Sequence, residues 1–341
     1  MAAITTTCTT WSGTMPAIPE ALAHPRPAHG LWRAAAATQR RMPLQPGTPD
    51  WFNQAIDCAH GSGEVEVDGT GIETIVWGER GHPGLLFVHG MMAHARWWDF
   101  IAPFFADRFR CASLSFSGMG RSGWRERYSV ATYVEELAAV MEVAGLYEGG
   151  VPPIIVAHSF GTFPARRFAE SRGRELGGVV LVDGPLRETT RYAPSPPRLY
   201  SLKPYPTIEQ AVVAFRLMPE QPCANPWLVA HVAAEGLRKE GEHWFRSFDP
   251  ELRAKMAAHD YHAGLAATQC PMAFVWGERS RLNTAEAQRA IDATFPDAPR
   301  IEIPDAAHHV MLDQPLALVA ALRGLLTGWP RVSPTLEEQI R

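Results

Sequence analysis

Pro153-Ile154-Ile155-Val156-Ala157-His158-Ser159-Phe160-Gly161 is the stretch whose reading decides the fold. An apolar, partly β-branched run meets a small-x-Ser-x-Gly pentad, and a helix-like segment follows. That order predicts a strand ending in a nucleophile elbow, a strained strand-to-helix turn that lifts a serine hydroxyl above a parallel sheet. Backbones approach closely at such a turn, and Gly161 has no Cβ to obstruct a neighbour. The pentad is made of common residues, so by itself it also describes an ordinary strand-to-helix connection. The surrounding chain must decide.

Outward from the elbow, strands alternate with helices. Segments 64–68 and 72–77 read as strands joined by the hairpin signal Asp68-Gly69. The apolar run 84–88, ending in His89-Gly90, has a buried-strand pattern. A helix is predicted over 96–106 and a strand over 110–116. Segment 130–146 is an amphipathic helix, with Val130, Tyr133, Val134, Leu137, Val140, Met141 and Ala144 on one face. Further strands are expected at 178–183, 272–276 and 300–303, and helices at 284–295 and 314–326. This rhythm predicts an α/β fold, a mainly parallel central sheet with helices on both faces, made from residues 50–184 and 270–328.

Between 185 and 269 the rhythm stops. The insert opens with Pro194-Ser195-Pro196-Pro197 and continues with helical segments near 208–217, 228–239 and 250–262. It is expected to form a helical cap over the carboxyl edge of the sheet. Phe215, Trp227, Trp244, Phe245 and Phe248 are assigned to the core of that cap rather than to ligand contacts. Residues 1–49 hold one acid (Glu20), four arginines (Arg26, Arg33, Arg40, Arg41) and no periodic apolar pattern. They are expected to be a flexible extension, with Met42 an alternative start, and 329–341 a C-terminal tail.

Composition narrows the class. The 341 residues are 46% hydrophobic and 20% charged, as in globular proteins, and a formal net charge of −4 gives no sign of nucleic-acid binding. Positive charge is almost all arginine, the lysines being Lys203, Lys239 and Lys255, and it is scattered. Five widely spaced cysteines, Cys8, Cys58, Cys111, Cys223 and Cys270, form no CxxC pair. That points away from a disulfide framework or structural zinc and toward a reducing, cytoplasmic setting. No apolar run reaches membrane-spanning length. His89 and His94 have no third ligand placed to complete a metal site, so neither metal nor cofactor is expected. Gly118-Met119-Gly120-Arg121-Ser122 lacks both the Lys-Ser/Thr ending of a phosphate loop and a complete GxGxxG.

From about residue 64 to 327 the chain resembles the α/β-hydrolase superfamily. The resemblance is carried, in order, by Phe87-Val88-His89-Gly90-Met91, Gly118-Met119-Gly120-Arg121-Ser122, Ala157-His158-Ser159-Phe160-Gly161, Val275-Trp276-Gly277-Glu278 and Ile303-Pro304-Asp305-Ala306-Ala307-His308-His309. It implies Ser159 as nucleophile and His308, rather than His309, as its base. It also implies the backbone N–H groups of Met91 and Phe160 as oxyanion donors, and a structural role for the Gly118–Gly120 turn. A serine at position 159 speaks against the carboxylate nucleophiles that dehalogenases and epoxide hydrolases use. The chain departs from the pattern at Ser280, where such proteins usually carry the triad acid. Some members supply it from the preceding strand, which here offers Asp183; Glu278, Asp305 and a dyad without an acid are the alternatives. Asp183 could also merely cap the turn before Pro185. His89, Met92, Trp97, Trp98 and His158 are candidates for a substrate pocket, with His89 also readable as a loop tie and the tryptophans as core.

The expected activity is serine-dependent hydrolysis of a small-to-medium apolar carboxylic ester, a small-molecule substrate with no nucleic-acid or membrane partner. Carbon–carbon bond, lactone, amide or thioester hydrolysis on the same residues is the alternative, and a non-catalytic binding module with this fold is a rival.

Overall fold

The computed structural model describes residues 32–34, 47–186, 202–256 and 268–329. Strands β1 (Trp32–Ala34), β2 (Gly61–Val67) and β3 (Thr70–Trp77) form an antiparallel edge. Asp68 and Gly69 join β2 to β3 at φ 47° and 72°, the left-handed pair that a two-residue hairpin turn demands. Beyond them lie β4 (Gly84–Val88), β5 (Arg110–Leu114), β6 (Ile154–His158), β7 (Gly178–Val182), β10 (Met272–Gly277) and β11 (Arg300–Ile303). The order β1-β2-β3-β5-β4-β6-β7-β10-β11 makes one nine-stranded sheet, and the six strands from β5 to β11 run parallel.

Successive side chains of a strand leave on opposite faces, and the core divides accordingly. Leu86, Val88, Ile155 and Ala157 face one apolar layer, which they share with α2 (Val130–Val143), α3 (Thr162–Arg172) and α7 (Ala285–Thr294). Leu85, Phe87, Ile154 and Val156 face the other, with α1 (Asp50–Ile56) and α9 (Pro315–Thr327). Caps fix several helix starts: the side chains of Ser129 and Thr284 accept from the N–H groups of Thr132 and Ala287.

Several expectations are corrected. The helix predicted over 96–106 is instead two short 3-10 turns, Ala95–Trp97 and Ala102–Phe105. Trp97, Trp98, Phe100, Ile101, Ala102 and Phe105 are all buried, so the segment has no solvent face, and Pro103 has no N–H to continue an α-helical ladder. β1 lies inside the supposed extension, and α1, immediately after it, packs Phe52 into the core. The rest of 1–46 and all of 330–341 lie outside the described residues.

The insert is not wholly helical. It holds α4 (Ile208–Val213), α5 (Pro226–Glu235), the hairpin β8 (Leu237–Glu240)–β9 (His243–Arg246) and α6 (Leu252–Lys255). The helix expected to reach residue 239 stops at Gly236, where an added Cβ would lie 2.9 Å from His94 Nε2. Gly241, at φ 57°, then turns the hairpin. α4 ends four residues before Leu217, which turns into the apolar layer beneath. The proline-rich stretch and the part of the 250–262 helix beyond Met256 lie outside the described residues.

α5 is tied to the core by charge. Glu235 bridges Arg96 (3.0 Å) and Arg121 (2.9 Å), which lie in the loops after β4 and β5. His231 bonds the Asp99 carboxylate at 2.9 Å, and His94 Nε2–H donates to the Val232 carbonyl at 2.9 Å. Behind them Glu73 of β3 accepts from the Ser115 hydroxyl and the Arg121 N–H. The remaining helix of the core side, α8 (Val310–Asp313), receives the insert through Asn225, whose amide donates to the Leu312 carbonyl at 2.7 Å. Among the described residues no helix is long and apolar enough to cross a membrane.

The Asp99–His231 pair gives this attachment a pH signature. Burial works against the imidazolium, but the Asp99 carboxylate prevails and the His231 pKa is raised. A raised folded-state pKa stabilises fully below the unfolded value of about 6.5 and is lost as pH rises through the folded value. His231→Gln is therefore expected to lower the melting temperature more at pH 6 than at pH 9. An equal deficit at both pH values in thermal denaturation would contradict this account.

Candidate active site

β6 delivers Ser159 at φ 51°, a left-handed conformation that side chains rarely adopt, and the chain then passes through a 3-10 turn into α3. The turn is wedged against the loop after β4. A Cβ on Gly161 would sit 2.5 Å from the His89 carbonyl oxygen and 2.8 Å from Val88 Cγ1. A Cβ on Gly90 would sit 3.1 Å from Ser159 Cβ.

His308, in the turn between β11 and α8, places Nε2 2.8 Å from Ser159 Oγ. Its Nδ1 lies 2.6 Å from Asp183 Oδ2. Asp183 stands at the tip of β7 at φ 46°, a region aspartate tolerates better than most residues. Its N–H donates to the Val275 carbonyl at 2.7 Å, and its Oδ1 accepts from the Gly277 N–H at 3.4 Å. Ser280 donates its hydroxyl to Asp183 Oδ2 at 2.7 Å. The departure at position 280 is thus a hydrogen-bond donor to the carboxylate on the next strand. Because β6, β7 and β10 are sheet neighbours, all these groups meet at adjacent strand tips. The other candidate acids lie elsewhere: Asp305 pairs with Arg279 in the open, and exposed Glu278 accepts the Asp305 N–H at 2.9 Å.

His158 Nε2–H donates to the His308 carbonyl at 2.9 Å, holding that loop from below. Burial, then the charge His308 and His309 would carry, keep the His158 pKa well below the ordinary value. The His309 ring packs against Trp97, with ring centroids 5.3 Å apart, and burial lowers its pKa to about 3. His158, His308 and His309 each present a possible ligand atom within 4.8 Å of the others. The sequence reading, which weighed His89 and His94, missed this grouping; its one signal was the recurrence of histidine beside both motif residues. His308, however, directs both ring nitrogens at Ser159 and Asp183.

The remaining pocket candidates divide. A cavity of about 490 Å³ opens over Ser159, bordered by Met91, Met92, Trp97, His158 and Phe160. His89 and Trp98 do not border it. His89 takes the Phe116 N–H on Nε2 (3.0 Å) and donates from Nδ1 to the Gly90 carbonyl (2.6 Å), while burial lowers its pKa to about 3. Trp98 is fully buried against Phe87. Two insert aromatics assigned to its own core, Phe215 and Phe248, border the cavity instead. Met92, at φ 56°, spends its N–H on the Met119 sulfur.

The alpha/beta hydrolase family's sequence model matches residues 85–322, from β4 into α9. The chain belongs to that family. Lipase LipV of Mycobacterium tuberculosis is 30% identical over 107 residues, a match spanning 31% of this chain and 39% of that lipase's length. Among solved structures, the thioesterase domain from the curacin biosynthetic pathway aligns at TM-score 0.66 and 22% identity, over 78% of this chain and 99% of that one. E-2-(acetamidomethylene)succinate hydrolase aligns at TM-score 0.67 and 19% identity, over 79% and 100%. A novel esterase from M. tuberculosis aligns at 0.62 and 20%, over 82% and 95%. At these identities the structural matches speak for the alpha/beta hydrolase fold alone.

The wedge at Gly161 is testable without any assay of activity. Its Cβ contact would be with backbone, which has little room to retreat. Gly161→Ala is expected to cost about 1–3 kcal/mol of stability, read in denaturant unfolding. An unchanged midpoint would show that the elbow has slack.

Proposed function

We propose that this alpha/beta hydrolase is a serine hydrolase that cleaves small-to-medium, mostly apolar carboxylic esters through an acyl-enzyme. The continuous hydrogen-bond chain Asp183–His308–Ser159, at 2.6 and 2.8 Å, carries the reading. A serine hydroxyl is a weak nucleophile at neutral pH and needs an oriented base, which this chain supplies.

In this reading Ser159 Oγ bonds to the ester carbonyl carbon as His308 Nε2 takes its proton. The backbone N–H groups of Met91 and Phe160, both bordering the cavity, would receive the oxyanion. His308 then passes the proton to the departing alcohol. Water, deprotonated in turn by His308, adds to the acyl carbon; the bond to Ser159 Oγ breaks, His308 returns the proton to that oxygen, and the acid leaves. Asp183 holds the imidazole in the tautomer that leaves Nε2 free to accept. The Ser280 hydroxyl and the Gly277 N–H hold Asp183. That support weakens the argument for a non-catalytic module that rested on position 280.

The mainly apolar wall favours an acyl chain, and the insert over Ser159 would act as the cap that selects it. Amide, lactone, thioester or carbon–carbon bond substrates would use the same groups.

Hydrolysis of p-nitrophenyl butyrate tests the reading. Ser159→Ala should abolish turnover and phosphonate labelling, and Asp183→Asn should lower kcat by about 10³–10⁴. Ser280→Asp, added to Asp183→Asn, should restore measurable turnover by returning a carboxylate to the neighbouring strand tip. A wild-type protein that neither turns over the ester nor takes the label on Ser159 would refute the proposal.

A further inference from the structure

The walls of the cavity carry three arginines, Arg216, Arg246 and Arg253, and no aspartate or glutamate among the described residues. A cleft lined by one sign of charge focuses such an imbalance onto whatever enters it. His158, His309 and His94, which also border it, have lowered pKa values because they are buried. They do not add to the charge at neutral pH.

Arg216, in the loop after α4, and Arg246, on β9, both donate to carbonyls at the carboxyl end of α4. Arg216 Nη1 donates to the carbonyls of Val213 (2.8 Å) and Phe215 (2.7 Å). Arg246, on β9, donates from Nη2 to the Ala214 carbonyl at 3.2 Å, and its guanidinium lies 5.3 Å from the centroid of the Phe215 ring. Three consecutive carbonyls therefore receive the two guanidinium groups, and one of them also lies over the Phe215 ring. Arg96 and Arg121 meet a carboxylate at Glu235, whereas Arg110, on β5, donates to backbone carbonyls as Arg216 and Arg246 do. Among the described residues neither Arg216 nor Arg246 has a carboxylate within 4 Å, and Nε and one Nη of each have no protein acceptor. Two fixed like charges with spare in-plane donors form the arrangement that receives a carboxylate or phosphate.

We propose that the substrate's acyl group carries an anionic substituent, a carboxylate or phosphate, which Arg216 and Arg246 bind while the carbonyl lies at Ser159. This deepens the ester-hydrolase reading and rests on it. The apolar lining of the same cavity, with Met92, Phe215, Val232 and Phe248, then holds the connecting chain. The reaction is unchanged: water cleaves the acyl–oxygen bond, and the anionic group stays on the released acid.

The test compares kcat/KM for the mono-p-nitrophenyl ester of adipic acid with that for p-nitrophenyl hexanoate, of the same chain length but uncharged. The wild type should favour the adipate ester by about tenfold, chiefly through KM. Arg216→Gln combined with Arg246→Gln should bring the ratio to one or below. Arg216→Gln alone, at an exposed position that tolerates change, should lower it part of the way. The p-nitrophenyl ester of 6-phosphohexanoic acid supplies the second arm, and whichever anion gives the larger ratio identifies the group bound. A wild type that prefers hexanoate, or a preference that survives in both variants, would overturn the proposal. If no ester is hydrolysed, the ester reading fails, and the anion site is judged by calorimetric titration with monomethyl adipate. Heat seen with the wild type and absent in the double variant supports the site; no heat with the wild type ends it.

Discussion

One close approach organises this molecule: the elbow after β6 lies directly against the loop after β4, with Gly161 facing the His89 carbonyl. No side chain separates the two backbones. The contact fixes Ser159 at φ 51° and sets Gly90 and Met91 beside it. It also accounts for His89, whose ring spans from the Gly90 carbonyl to the Phe116 N–H and so holds the β4 loop to the end of β5. His158, one residue before the serine, braces the His308 loop from the same strand tip. Three loops are thus referenced to one turn, and the positions of Ser159, His308 and Asp183 follow from sheet order.

Much of this was legible in the sequence because it depended on local rules. The Asp68-Gly69 hairpin, the parallel strands, the amphipathic α2 and the elbow each combine a period with a punctuating residue. The family match confirms the fold those signals implied. Asp183, favoured over Glu278 and Asp305, is the carboxylate that meets His308.

What escaped the sequence depended on partners distant along the chain. Residues 95–105 look like a helix by composition, but burial on every side removes the polar face that would steady one. The β8–β9 hairpin follows a helix without an obvious break, because Gly236 is needed for the proximity of His94 rather than for a turn. The Ser280 hydroxyl, read as a gap in the pattern, works through Asp183, 97 residues away. Trp97 and Trp98 are neighbours of one type, yet one borders the cavity and the other packs on Phe87, a difference set by which way each faces in a non-helical turn.

The attachment of the insert has a consequence for how the molecule breathes. Among the described residues its polar ties to the body include His231, Glu235, Asn225, the Val232 carbonyl and the Asp249 N–H, while Leu217, Leu228, Val232 and Leu252 pack into the two apolar layers. None is a rung of the nine-stranded ladder. Releasing the roof would break no rung of the sheet, so the insert is expected to open at a lower free energy than the strands beneath it. Amide hydrogens of α5 are then expected to exchange faster than those of β4 and β6. Such an opening would widen the way to Ser159 while the strand tips beneath stay in register.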